Sequence, residues 1–200
     1  MRHFSKAKYI IALILFPLMF SCNSKKLNYK NTKASLKELM YDIKQAQDAK
    51  KYDKARVLIM SIVPNKASIK KALRPGVDSK IIDKINGINV FLDKQKAKES
   101  KSKFDELLST KLFRIKKEQT EISVHEATTE ELAEYKKDSV AWKEFSGGAS
   151  KAAKMILKPK MKFYEVEYVE KGKKYGMKYH LFYWDGSGWK MLGKAWRGLK

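Results

Sequence analysis

The chain has 200 residues, with 44 Lys or Arg against 22 Asp or Glu, a formal charge of +22, and a single cysteine. A chain of this length can bury enough surface to fold as one domain without disulfides, and one cysteine excludes an intrachain bridge in any case. Beyond residue 21 the only arginines are Arg56, Arg74, Arg114 and Arg197, so the positive charge is lysine charge. It lacks the planar fork suited to phosphate recognition, and no nucleic-acid partner is expected.

The N-terminus carries Arg2, Lys6 and Lys8, then the apolar stretch Tyr9 to Phe20, interrupted by Pro17 and closed by Ser21-Cys22. A spanning helix needs about 20 apolar residues, more than this run supplies. A basic segment, a short apolar run and a small residue before a cut site make an export signal. With cysteine directly after Ser21, the segment resembles a bacterial lipoprotein signal, although Met19 and Phe20 depart from that pattern. An ordinary cleaved signal is the other reading.

The resemblance implies removal of residues 1–21, a diacylglycerol thioether on Cys22 and acylation of the new N-terminus. Each buried CH₂ contributes about 0.8 kcal/mol, so two or three chains hold firmly where one binds marginally. Neither an aspartate nor an acidic cluster follows Cys22 in Asn23-Ser24-Lys25-Lys26. The resemblance then implies the bacterial cell envelope, at the periplasmic face of the outer membrane. The signal removes three bases and no acids, which leaves +19. Those lysines are expected to be solvated surface; adhesion to an anionic envelope surface is the alternative, at about 1 kcal/mol per residue. An acyl anchor would make that role unnecessary.

Residues 22–33 read as a polar tether and 34–200 as a single domain. Ser35 to Glu38 has capping-box spacing, with Leu36, Leu39, Met40 and Ile43 following at helical intervals. A second helix is expected from Asp53 to Ile62, stopped by Pro64, and a third around Ile81 to Leu92, weakened by Gly87. Residues 94–108 read as helical but polar until Phe104. Leu112–Ile115 and Ile122–His125 read as strand pieces. Thr128 to Glu131 forms a second capping box, opening a short helix through Tyr135, and another helix is expected over Ala149–Leu157.

Three strands follow, Met161–Val169, Tyr175–Trp184 and Trp189–Arg197, joined by Lys171-Gly172-Lys173 and Asp185-Gly186-Ser187-Gly188. The class is α+β, a helical N-terminal half packed on a C-terminal antiparallel meander. Strict alternation puts Glu165 and Glu167 on one side of the first strand, and Lys178, His180, Phe182 and Trp184 on one side of the second. The meander holds 10 of the 23 aromatics. They serve either as core or as the wall of a ligand site built from Glu165, Glu167, His180, Phe182 and Trp184.

The strings 163–199, 127–135 (ATTEELAEY) and 144–149 (EFSGGA) resemble a group of exported bacterial proteins without an assigned activity. That resemblance implies no catalytic residues. Helices followed by a curved sheet are also similar to the nuclear-transport-factor-like cone, whose pocket lies between sheet and helices; this likeness is architectural only.

Lipidation would consume the one thiol, no serine sits in a Gly-x-Ser-x-Gly elbow, and no histidines have metal-ligand spacing, so no cofactor or metal is expected. His125 reads as a local hydrogen-bonding residue at a strand-to-helix junction. The expected role is a non-enzymatic module binding a small ligand or partner. The alternatives are a hydrolase or isomerase using His180 with Glu165 or Glu167, and a structural envelope component.

Overall fold

A computed structural model describes residues 28–199. The signal segment, Cys22 and the first half of the tether lie outside the described residues. Helix α1 spans Lys33–Asp48, and its cap is Thr32, whose hydroxyl accepts from the Ser35 amide at 3.2 Å. The helix thus starts before the Ser35–Glu38 box, and Ser35 is buried in its first turn. The end of the expected tether packs on the fold. Tyr29 donates to Asp42 at 2.5 Å, and the Lys30 carbonyl accepts from the Trp189 indole at 3.1 Å.

Helices α2 (Tyr52–Ile62) and α3 (Lys66–Ala72) follow, the latter capped by Asn65 and absent from the sequence reading. Helix α4 (Ser79–Lys98) runs straight through Gly87. Its end at Glu99 divides the expected 94–108 helix, and α5 is Lys101–Leu107. A π-turn, Leu108–Leu112, then replaces the expected 112–115 strand. There the Gln47 amide donates to the Ser109 and Phe113 carbonyls at 3.0 and 2.6 Å, so a side chain satisfies the backbone that a strand partner would otherwise have to meet.

Strand β1 (Glu121–Thr128) is longer than expected and places His125 inside a strand rather than at a junction. Helix α6 (Thr129–Glu134) opens on the Thr128–Glu131 capping box, with both reciprocal hydrogen bonds present. Helix α7 (Val140–Glu144), capped by Ser139, was not anticipated. Helix α8 (Gly147–Met155) begins within the Ser146-Gly147-Gly148 segment, with Ser146 as its cap. Strands β2 (Lys162–Val169), β3 (Met177–Trp184) and β4 (Trp189–Met191) complete an antiparallel sheet of order β1-β2-β3-β4. The last strand stops early, because Gly193 takes φ +61° and Ala195–Gly198 forms a 3₁₀ turn.

The fold is therefore α+β, and the sheet is covered on both faces. Tyr164, Val166, Tyr168, Phe182 and Trp189 pack with α1, α2 and α5 into one core. Phe163, Leu181 and Tyr183 pack with α3, α6, α7 and α8 into a second. Helix α4 contributes Leu92 to the first core and Ile82 to the second. Among the described residues no helix is long and apolar enough to cross a membrane.

Candidate functional site

The face of the sheet that bears the second core also holds a row of ionisable groups. Alternation along β2 puts Glu165 and Glu167 on that face, and β1 and β3 bring His125 opposite Glu165 and Lys178 opposite Glu167. His180 joins them through a bulge. Val166 pairs with Tyr179 and Tyr164 with Phe182, so three steps on β3 answer two on β2. Leu181 takes up the extra residue with φ +56°.

The bulge corrects the alternation expected for β3. Up to His180 the faces follow strict period two; beyond it they exchange. Phe182 lies in the first core and Trp184 packs beside it on Trp189, with ring centroids 5.5 Å apart. Both are on the side of the sheet away from Glu165, Glu167 and His180. Leu181 and Tyr183 take the places on the second core that strict alternation assigns to Phe182 and Trp184.

Glu165 has no solvent exposure, and its Oε1 is hydrogen-bonded to Nδ1 of His180. Its Oε2 is buried without a hydrogen-bond partner among the described residues. Burial, the largest influence, raises the Glu165 pKa, while the His180 hydrogen bond and the Lys178 charge act against that rise. Trp196 covers His180 edge-on, with centroids 5.2 Å apart. The indole itself lies on Gly148, where a Cβ would come within 2.3 Å of its Nε1. This close approach is what requires glycine at the start of α8.

Glu167 is 8% exposed and accepts from the Gly176 amide at 2.7 Å. Lys178 stands between Glu167 and Glu144, 3.6 and 3.4 Å from their carboxylates, and donates to the Glu144 carbonyl at 2.8 Å. It therefore also satisfies backbone at the end of α7. His125 Nε2 is 3.5 Å from Glu144. Burial lowers the His125 pKa first of all; Glu144 pulls it back up, and Lys178 adds to the lowering.

His125, Glu144 and Glu167 offer ligand atoms that all lie within 4.8 Å of one another, a grouping that sequence spacing did not reveal. A divalent cation there would have to displace the Lys178 ammonium, which already supplies positive charge to both carboxylates. The trio was hidden because Glu144 belongs to α7; the available signal was Ser139, whose hydroxyl accepts from the Trp142 amide at 3.2 Å. Lys178 was readable, since it shares His180's face by period two.

The structure thus joins Glu165, Glu167 and His180 and adds His125, Glu144, Lys178 and Trp196. Their acid–base capacity is directed at one another and at backbone groups. No protein-family model, curated protein or solved structure matches the chain, so no likeness to a known structure supports the nuclear-transport-factor-like cone.

Proposed function

We propose that this protein is a lipid-anchored lipoprotein of the bacterial cell envelope, at the periplasmic face of the outer membrane, whose α+β domain is a non-enzymatic binding module. The observation that carries the non-enzymatic part is the closure of the acid–base pair: Glu165 has no exposure, and Trp196 lies over His180. A hydrolase or isomerase using His180 with Glu165 or Glu167 would need substrate to reach within about 3 Å of the reacting group. Here an indole packs edge-on against His180, whose side chain is only 13% exposed. The anchor reading rests on the basic and apolar segment ending in Ser21-Cys22, and the partners it implies are the membrane, through the lipid, and a small ligand or envelope component.

The test is mass spectrometry of natively expressed protein, on its N-terminal peptide and on material extracted with it. The expected N-terminus is Cys22 carrying acyl chains, and Cys22→Ala should release the protein from membranes. An unacylated N-terminus at another residue would overturn the anchor. Turnover of generic ester or amide substrates that disappears in His180→Gln while the fold persists would overturn the non-enzymatic reading.

A further inference from the structure

Away from the sheet, where α2, α4 and α5 meet, lies a cleft of about 430 Å³. Helical spacing builds it: Arg56 and Met60 are one turn apart on α2, Leu92 faces them from α4, and Phe104 and Asp105 come from α5. Its size falls in the range of small-molecule sites, which pair apolar walls with a few converging polar groups.

The polar groups at its floor are an arginine and a carboxylate side by side, and Asp93, Lys96 and Lys101 also line it. Arg56 Nε and Asp105 Oδ1 are 2.7 Å apart, Asp105 being 5% exposed and Arg56 30%. The N–H is not aimed at the oxygen, and neither atom has a hydrogen-bond partner among the described residues. Paired by charge but not by a hydrogen bond, the Asp105 oxygen and the Arg56 N–H keep hydrogen-bonding capacity at the floor of the cleft that a ligand would satisfy. The terminal nitrogens of Arg56 likewise make no hydrogen bond to a described side chain or backbone group, leaving the fork that fits a carboxylate.

We infer that this cleft binds a free α-amino acid with an apolar side chain. Its carboxylate would pair with the Arg56 guanidinium, its ammonium with Asp105, and its side chain would lie against Met60, Leu92 and Phe104. A plain anion would draw Arg56 away from Asp105 and repel that carboxylate, and a plain cation would do the converse to Arg56. A ligand that carries both charges close together answers both groups at once. This deepens the binding-module reading by naming the ligand class, and it rests on that reading but not on the lipid anchor.

The experiment is calorimetric titration of the folded domain with leucine, methionine and phenylalanine, beside 4-methylpentanoate, which lacks the ammonium, and 3-methylbutylamine, which lacks the carboxylate. At least one amino acid is expected to bind at least tenfold more tightly than both analogues. Arg56→Met should weaken it at least tenfold. Met60→Trp, which fills the apolar wall and leaves both charges in place, should also abolish binding and guards against a misfolded Arg56 variant. The assignment is overturned if no amino acid binds at millimolar concentration, if 4-methylpentanoate binds as well as leucine, or if binding survives in Met60→Trp. An unrelated molecule retained on the native protein would overturn this ligand class while leaving the binding module standing.

Discussion

At the scale of single residues, the polar row on the sheet is a counter-ion arrangement in which Lys178 is the common partner. Its ammonium faces Glu144 and Glu167 and also bonds the Glu144 carbonyl. Removing it leaves two carboxylates without their cation, one of them nearly buried. Lys178→Met is expected to destabilise by roughly 1–3 kcal/mol, the range for orphaning a buried polar group, as measured by urea denaturation. Adding Glu144→Gln should return part of that loss, because the charge repulsion with Glu167 is then removed; strict additivity would show that the three groups do not act together.

His125 gives the row a pH dependence whose sign follows from its lowered pKa. The unfolded chain takes up the proton first, near pH 6.5. The stability contributed by neutral, half-buried His125 is therefore complete above that pH and is lost as pH falls through the lower folded value. His125→Gln is expected to lose less melting temperature than the parent between pH 7.5 and 5. Glu165 runs the other way: its folded pKa is raised, so its contribution is present below the unfolded value of 4.5 and is lost as pH rises through the folded one. An unchanged acid-side slope in His125→Gln would remove His125 from the account.

At the scale of elements, the site depends on a β-bulge and on a helix start that accepts an indole. Gly148→Ala places a methyl group where Trp196 lies, and α8 is fixed on both sides by its Ser146 cap and by its packing on α6. The indole must give way and uncover His180, at a cost of roughly 1–3 kcal/mol for overpacking. Thermal denaturation with Trp196 emission as a second probe checks this. In the Trp196→Ala background the same glycine substitution should cost much less, since the clash is gone; an equal cost would mean that Gly148 matters for backbone conformation alone.

Legibility in the sequence divided along the same line. Local signals read correctly: the Thr128–Glu131 box, the stop at Pro64 and the hairpin at Asp185, whose carboxylate accepts from Ser187 and Gly188 and ties the turn to Ser68 of α3. What failed was non-local. The bulge at Leu181 is set by pairing with β2, so nothing in the alternation of β3 announced that Phe182 and Trp184 would change faces. The 112–115 segment has strand composition, but its carbonyls are met by distant side chains: Phe113 accepts from Gln47, more than 60 residues earlier, and Arg114 from the Tyr179 hydroxyl. Glu165, Glu167 and His180 were found because they precede or adjoin the bulge; Glu144 was missed with its five-residue helix.

At the scale of the whole molecule, the sheet is a shared wall between two cores, and this bears on how the protein unfolds. Along β2, Phe163 belongs to the second core while Tyr164, Val166 and Tyr168 belong to the first. Stripping either helical layer would expose one face of the same strands, and α4, with Ile82 in one core and Leu92 in the other, would have to leave both. The layers therefore lack the separate cores that independent units need.

Tryptophan supplies a probe on each side. Trp189 is in the first core, edge-on to Tyr164 at 5.0 Å, and Trp196 packs against the second. Two variants that each keep one of these tryptophans and replace the other three by phenylalanine are expected to give fluorescence transitions in urea that coincide, each with its own circular-dichroism transition, once corrected for the stability of the variant. An earlier, separate transition in the Trp196 reporter would mean that α6 to α8 leave the sheet on their own. His180 and Glu165 would then be exposed in a populated partly unfolded state, and the closure that argues against catalysis would be a property of only part of the ensemble.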